Sequence, residues 1–268
     1  MESLAQPTPY PDVNLVLSAL LTRVRDILED HFVGMYLYGS LASGDFDPER
    51  SDIDFVVVTK GSLPDETVAQ LQTMHDHLYA EGPKWAKKLE GAYIRQSDMR
   101  RYHPSNTACP FLNEGKFYLA SQGSDWVIQR HVLREQGVIV AGPEIRPMID
   151  PVHSDDLRRA VLAVLREWWA PILEDPAFIR DGEYQAYAVL TMCRSLYTME
   201  HGTISSKPLS ARWAQQSLGE QRRLLIEWAL TWQYNEWSDK MNETLDFIRY
   251  TLECSHQFET TTEPTGID

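Results

Sequence analysis

Asp52 and Asp54 stand at alternate positions at the head of a β-branched run, Asp52-Ile-Asp-Phe-Val-Val-Val-Thr59, and no other feature constrains the chain as much. Alternate side chains of a strand point to one face, so the two carboxylates share a face while the run behind them suits burial on both sides. Paired carboxylates repel. At a strand's start beside a polar loop they make sense where divalent cations neutralise them together with a bound polyphosphate. A lone Asp-x-Asp is a solvated turn in most proteins, so the neighbourhood decides its meaning. Upstream, Val33-Gly-Met-Tyr-Leu-Tyr38 is a short β-prone run ending at Gly39-Ser40. A Gly-Ser there opens a helical turn whose free N–H groups, with the Ser40 hydroxyl, can hold phosphate oxygens, and glycine lets the backbone approach closely. Gly44 to Ser51 reads as the polar loop between the two strands.

The rest of the first half alternates in type. Apolar residues from Val13 to Leu28 recur at helical spacing, marking an amphipathic helix over about 13–31. Pro64 to Tyr79 predicts a second helix, Leu89 to Arg95 a third strand, Ser124 to Arg134 a helix and Gly137 to Ala141 a further strand. Gly142-Pro143, Pro147 and Pro151 then punctuate the chain. Beyond them, Ser154 reads as a helix N-cap followed by Asp155 and Asp156, and stripes over 157–172, 183–199, 209–218, 220–237 and 241–252 are all helical. This order predicts an α/β domain with a mixed sheet over 1–152, an all-α helical bundle over 153–257 and a disordered tail over 258–268. Trp168, Trp169, Trp213, Trp228, Trp232 and Trp237 are expected in the bundle core.

Composition narrows the partners. The 268 residues, 43% hydrophobic, suffice for two modest cores, and Cys109, Cys193 and Cys254 show no spacing for a disulfide framework or zinc site. A formal net charge of −14 argues against general nucleic-acid binding and favours a cationic partner. Residues 1–11 lack a basic segment followed by an apolar run, and no stretch is long and apolar enough to cross a bilayer, so a cytoplasmic protein without membrane or nucleic-acid partners is expected.

Leu37-Tyr-Gly-Ser-Leu-Ala-Ser-Gly-Asp45 with Ser51-Asp-Ile-Asp-Phe-Val-Val-Val58 resembles the signature of the polymerase-β-type nucleotidyltransferases. In the second half, Val189-Leu-Thr-Met-Cys-Arg194, Gly202-Thr-Ile-Ser-Ser-Lys207 and Ala211-Arg-Trp-Ala214 resemble the helical domain of the aminoglycoside (3'')/(9) adenylyltransferases, which inactivate streptomycin and spectinomycin. The likeness spans about 13–255. It implies that Asp52 and Asp54 hold two Mg²⁺ ions, and that Glu90, in a matching Leu-Glu strand, is the catalytic base and a further metal ligand. It likewise implies that Gly39, Ser40, Ser51, Arg194, Lys207 and Tyr234 contact ATP, in a cleft between the domains. Streptomycin-modifying members carry a tryptophan after the third strand and an aspartate early in the bundle's second helix. This chain has Asn113-Glu-Gly-Lys-Phe-Tyr118 and Asp181-Gly-Glu-Tyr-Gln185 there, which makes Glu183 and Tyr184 the substrate candidates.

The expected reaction is attack of a substrate hydroxyl on the α-phosphorus of ATP, giving an adenylylated cationic antibiotic and pyrophosphate, by a monomeric enzyme. Two alternatives remain at this point: the same chemistry on a lincosamide, another metabolite or a protein hydroxyl, and a non-catalytic nucleotide-binding module.

Overall fold

Pro11, whose missing N–H costs nothing at a first helical position, starts α1 (Pro11–Leu28), and Val13, Val16, Leu17, Leu20, Leu21, Val24 and Leu28 form its buried stripe. The computed structural model describes residues 6–233 and 239–259, and the chain divides into two units at Pro151/Val152. In the first unit α1 is followed by β1 (Phe32–Leu37), α2 (Gly39–Ser43), β2 (Ile53–Thr59), α3 (Asp65–Glu81), a 3-10 turn (Lys84–Lys88) and β3 (Leu89–Arg95). Then come α4 (Gln96–Met99), β4 (Cys109–Asn113), β5 (Lys116–Ala120), α5 (Asp125–Gln136) and β6 (Val138–Ala141).

The six strands form one mixed sheet in the order β5-β4-β3-β2-β1-β6. Only β2 and β3 run parallel; every other neighbouring pair is antiparallel. Strand alternation sorts the core. Met35, Leu37, Ile53, Phe55, Val57, Leu89 and Tyr93 pack in one cluster with the apolar stripes of α1 and α3. Tyr36, Tyr38, Val56, Val58, Ala92 and Ile94 pack on the other face with Trp126 and Leu133 of α5. By the same alternation Asp54 and Glu90 lie on the α5 face, at the end where β2 and β3 begin. The β4–β5 hairpin is an addition to the sequence reading. Pro110 and the largely exposed β5 blur the two-residue pattern there.

The second unit holds α6 (Ser154–Val164), a π turn (Leu165–Trp169), α7 (Ala170–Ile172), a 3-10 turn (Pro176–Ile179), α8 (Gly182–His201), α9 (Lys207–Ser217), α10 (Glu220–Thr231) and α11 (Met241–Glu259). The central helix is α8, which packs against α6, α9, α10 and α11. Buried Gln185 ties its start to the segment before α11, donating to the Ile179 carbonyl (3.1 Å) and to Asp239 (3.0 Å) and accepting from the Lys240 N–H (2.8 Å). Three sequence expectations change. The cap of α6 is His153 rather than Ser154, with the Asp156 carboxylate accepting the His153 N–H at 3.1 Å. Residues 258 and 259, expected in a disordered tail, finish α11. Trp169 and Trp232 are buried, but Trp168 is 53% exposed, because the π turn shifts the helical stripe by one position. Trp237 lies outside the described residues.

Candidate active site

Gly39 sits at the bend between β1 and α2 with φ +61°, a conformation that side chains resist. A Cβ at this position would collide with the Asp54 carboxylate. Glycine therefore serves two purposes here, the turn and the close approach. The preceding Tyr38 N–H donates to the Asp54 carbonyl (3.1 Å), which fastens the end of β1 to the start of β2. Ser40 follows in the first turn of α2, its carbonyl accepting the Asp45 N–H (3.1 Å). Ser51 closes the loop ahead of β2: its hydroxyl accepts the Asp47 N–H at 3.0 Å, and its own N–H donates to the Asp47 carbonyl at 2.8 Å.

The parallel register of β2 and β3 places Asp54 directly opposite Glu90. One like-charged rung thus stands at the strands' start. Burial, then the charges of Asp52, Asp54 and Glu114, push the Glu90 carboxyl up from 4.5 to about 8, with Lys88 acting in the opposite direction. Asp52 lies one residue ahead of the ladder and pairs with Lys88 at 3.1 Å. The surroundings repeat the acidity. The buried Tyr38 phenol is raised by burial and by Asp54, Glu90 and Asp125; that of Tyr118, exposed on β5, by burial, Glu90 and Asp125. Tyr118 stacks on Phe111 (5.9 Å between centroids), Phe111 meets Trp126 edge-on (5.8 Å), and Trp126 leans on Tyr38 (6.2 Å). An aromatic row therefore runs across the α5 face of the sheet beside Glu90.

The remaining sequence candidates belong to the second unit. Lys207 is the first residue of α9, behind Ser206, whose hydroxyl accepts the Leu209 N–H, and its ammonium lies 4.6 Å over the Tyr187 ring. Arg194 is half-buried on α8 and makes no ion pair with a carboxylate among the described residues. Glu183 and Tyr184, both half-buried, open α8. Tyr184 packs on Phe178 at 4.7 Å, and Phe178 meets Trp168 edge-on at 5.4 Å. Tyr234 lies outside the described residues.

Comparison with known proteins assigns both halves. Residues 19–107 match the model described as "Nucleotidyltransferase domain", and residues 147–254 match "Aminoglycoside adenylyltransferase, C-terminal domain". The chain belongs to the aminoglycoside adenylyltransferase family of nucleotidyltransferases. It is 25% identical over 254 residues to an aminoglycoside (3'') (9) adenylyltransferase of Shigella flexneri, covering 89% of this chain and 93% of that one. To a spectinomycin 9-adenylyltransferase of Staphylococcus aureus it is 25% identical over 229 residues, 81% of this chain and 84% of the relative. In fold it resembles the crystal structure of a spectinomycin adenyltransferase from Enterococcus faecialis with ATP and spectinomycin. The TM-score is 0.69 at 19% identity, covering 89% of this chain and 99% of the other. The mixed-sheet unit followed by a helical unit is thus the family's fold.

Two aspects of the site were not read from sequence. Lys88 and Glu114 act on Glu90 from neighbouring elements, and Tyr38, Tyr118 and Asp125 surround it. For Lys88 a signal existed, since Lys88-x-Glu90 repeats the two-residue spacing of Asp52-x-Asp54. For a divalent metal, the donor set fits: carboxylate oxygens on adjacent strands, and a Glu90 carboxyl raised first by burial and then by neighbouring negative charge that such an ion offsets. As the side chains are placed, however, no three His, Cys, Asp or Glu among the described residues stand together as a ready metal site, Asp52 being paired with Lys88 instead.

Proposed function

We propose that the protein transfers AMP from ATP to a hydroxyl of a cationic antibiotic, spectinomycin and/or streptomycin, and releases pyrophosphate. The observation that carries this reading is the Asp54–Glu90 rung, with its Glu90 proton retained up to about 8, beside the turn that opens at Gly39. A base must be ionised when the hydroxyl arrives and basic enough to take its proton, and a pKa near neutrality best meets both demands. Glu90 is that base. Gly39, Ser40 and Ser51 receive phosphate oxygens at the start of α2 and in the loop before β2. Two Mg²⁺ ions held by Asp52 and Asp54, with Glu90 beside them, would supply charge neutralisation for the triphosphate and the departing pyrophosphate.

From the helical unit, Arg194 and Lys207 contribute cations for the phosphates, and Tyr234 a nucleotide contact. That half-buried Arg194 has no carboxylate partner among the described residues supports an anionic ligand. Glu183 and Tyr184 hold the acceptor, and the net charge of −14 favours a cationic one. The relatives, named as aminoglycoside and spectinomycin adenylyltransferases, support the same choice.

Pyrophosphate release from ATP and Mg²⁺ tests the reading across spectinomycin, streptomycin, kanamycin and lincomycin, with Glu90→Ala as control. Release with spectinomycin or streptomycin, lost in the variant, is expected. Silence across the panel would remove antibiotic adenylylation as the function.

A further inference from the structure

Two neighbouring pairs at the start of β2 and β3 have opposite electrostatics. Asp54 faces Glu90, like against like, and one step earlier Asp52 Oδ1 lies 3.1 Å from Lys88 Nζ. Lys88 ends the 3-10 turn Lys84–Lys88 and precedes Glu90 by two residues, and its ammonium reaches the Asp52 carboxylate just ahead of the β2–β3 ladder. The pair is not needed to align the strands. Seven consecutive partners, from Ile53↔Leu89 to Thr59↔Arg95, already set the register. Nor is it sealed, because the Lys88 and Asp52 side chains are 32% and 37% exposed, and ion pairs so open to water add little to stability. What the contact does change is the availability of Asp52 as a ligand.

We propose that Lys88 is a tethered counter-ion that occupies Asp52 while the carboxylates hold no divalent cation, and that it must withdraw for such a cation to bind, so that Lys88 sets the metal affinity of the site. This rests on the metal-binding role given above to Asp52 and Asp54. An ammonium group at hydrogen-bonding distance and a divalent ion at about 2.1 Å compete for the same oxygens and repel each other across them. The arrangement lets the carboxylates coexist in the folded, metal-free protein and weakens capture of free metal ion.

Direct binding of Mn²⁺ to the full-length, nucleotide-free protein, followed by loss of the free-ion EPR signal, tests this in a double-mutant cycle. Lys88→Met, which keeps the stem and removes the charge, is expected to bind Mn²⁺ about fivefold more tightly than the native protein, the worth of a partly exposed ion pair. Lys88→Gln should do the same, and thermal melts establish that each variant is folded. In an Asp52→Asn background the gain should shrink to about twofold or less, because the two residues act as a coupled pair. Equal or weaker binding by both Lys88 variants overturns the proposal. A gain that persists undiminished with Asp52→Asn also overturns it, making Lys88 a diffuse charge. If native protein binds Mn²⁺ but the Lys88 variants do not bind more tightly, this inference alone falls. If native protein binds no Mn²⁺ with or without ATP, the metal reading of the site falls with it.

Discussion

Tyr93 and Glu90 lie three residues apart on β3 and face opposite sides of the sheet. On one side, the Tyr93 hydroxyl is 2.7 Å from Nε2 of His75, whose ring stacks with Phe55 and Phe117. Burial pushes His75 down to about 3 and Tyr93 upward, so both stay neutral, and each satisfies the other's hydrogen bond. On the opposite side, Glu90 is pushed up to about 8 by burial and then by three carboxylates of its own sign. Desolvation acts on both faces. The difference lies in the partner: a complementary one makes a buried titratable pair inert, whereas like charges leave an unmet demand that protons, metal ions or substrate can answer.

The comparison breaks most visibly if the wrong face controls turnover. Glu90→Gln should lower kcat about 10²- to 10⁴-fold in the pyrophosphate assay, the usual worth of a general base, without unfolding the protein. A next, somewhat smaller effect is expected from Gly39→Ala. Its methyl group must displace the Asp54 carboxylate and bear a positive φ, which should cost about 100-fold in kcat, the scale of a misplacement near 1 Å. On the inert face, Tyr93→Phe leaves the buried His75 nitrogen without its partner. The variant should lose about 1–3 kcal/mol in denaturant melts while turnover per folded molecule stays unchanged. If instead it lost turnover and kept its stability, the two faces would have been assigned the wrong way round.

The smallest effect concerns pH. A carboxyl whose folded pKa lies above its unfolded value contributes stability that is present below about pH 4.5 and lost as pH rises to about 8. Metal-free Glu90→Gln cannot ionise. Its melting temperature should match that of the native protein near pH 4, exceed it increasingly up to about pH 8, and keep that lead above. After discounting for solvent at the strand ends, the lead is about 1 kcal/mol. A constant gap across this range would show that Glu90 does not titrate as the comparison requires.

Much of this organisation can be read locally. The helix α1, the β1–turn–β2 segment and the five longer helices of the second unit follow from apolar periodicity, because each buries a stripe set by its own repeat. The β4–β5 hairpin escapes that logic. Its turn places Glu114 at φ 47° ahead of Gly115 at φ 74°, where Asn or Asp would have signalled a hairpin, and β5 leaves Tyr118 and Leu119 exposed. The π turn at Leu165–Trp169 is equally silent in sequence, although it decides that Trp169 is buried and Trp168 is not.

At the site, the sequence by itself placed Asp52 and Asp54 two residues apart where β2 begins, and supplied at Gly39 the residue that permits the bend before α2. Only the tertiary structure decided which groups stand opposite them. The parallel register that sets Asp54 against Glu90 and the pairing of Asp52 with Lys88 each join residues 36 positions apart, and the aromatic row closes through Trp126 on Tyr38, 88 positions away. Charge and burial at Glu90 are sums over neighbours brought together by folding, and no local pattern encodes such a sum.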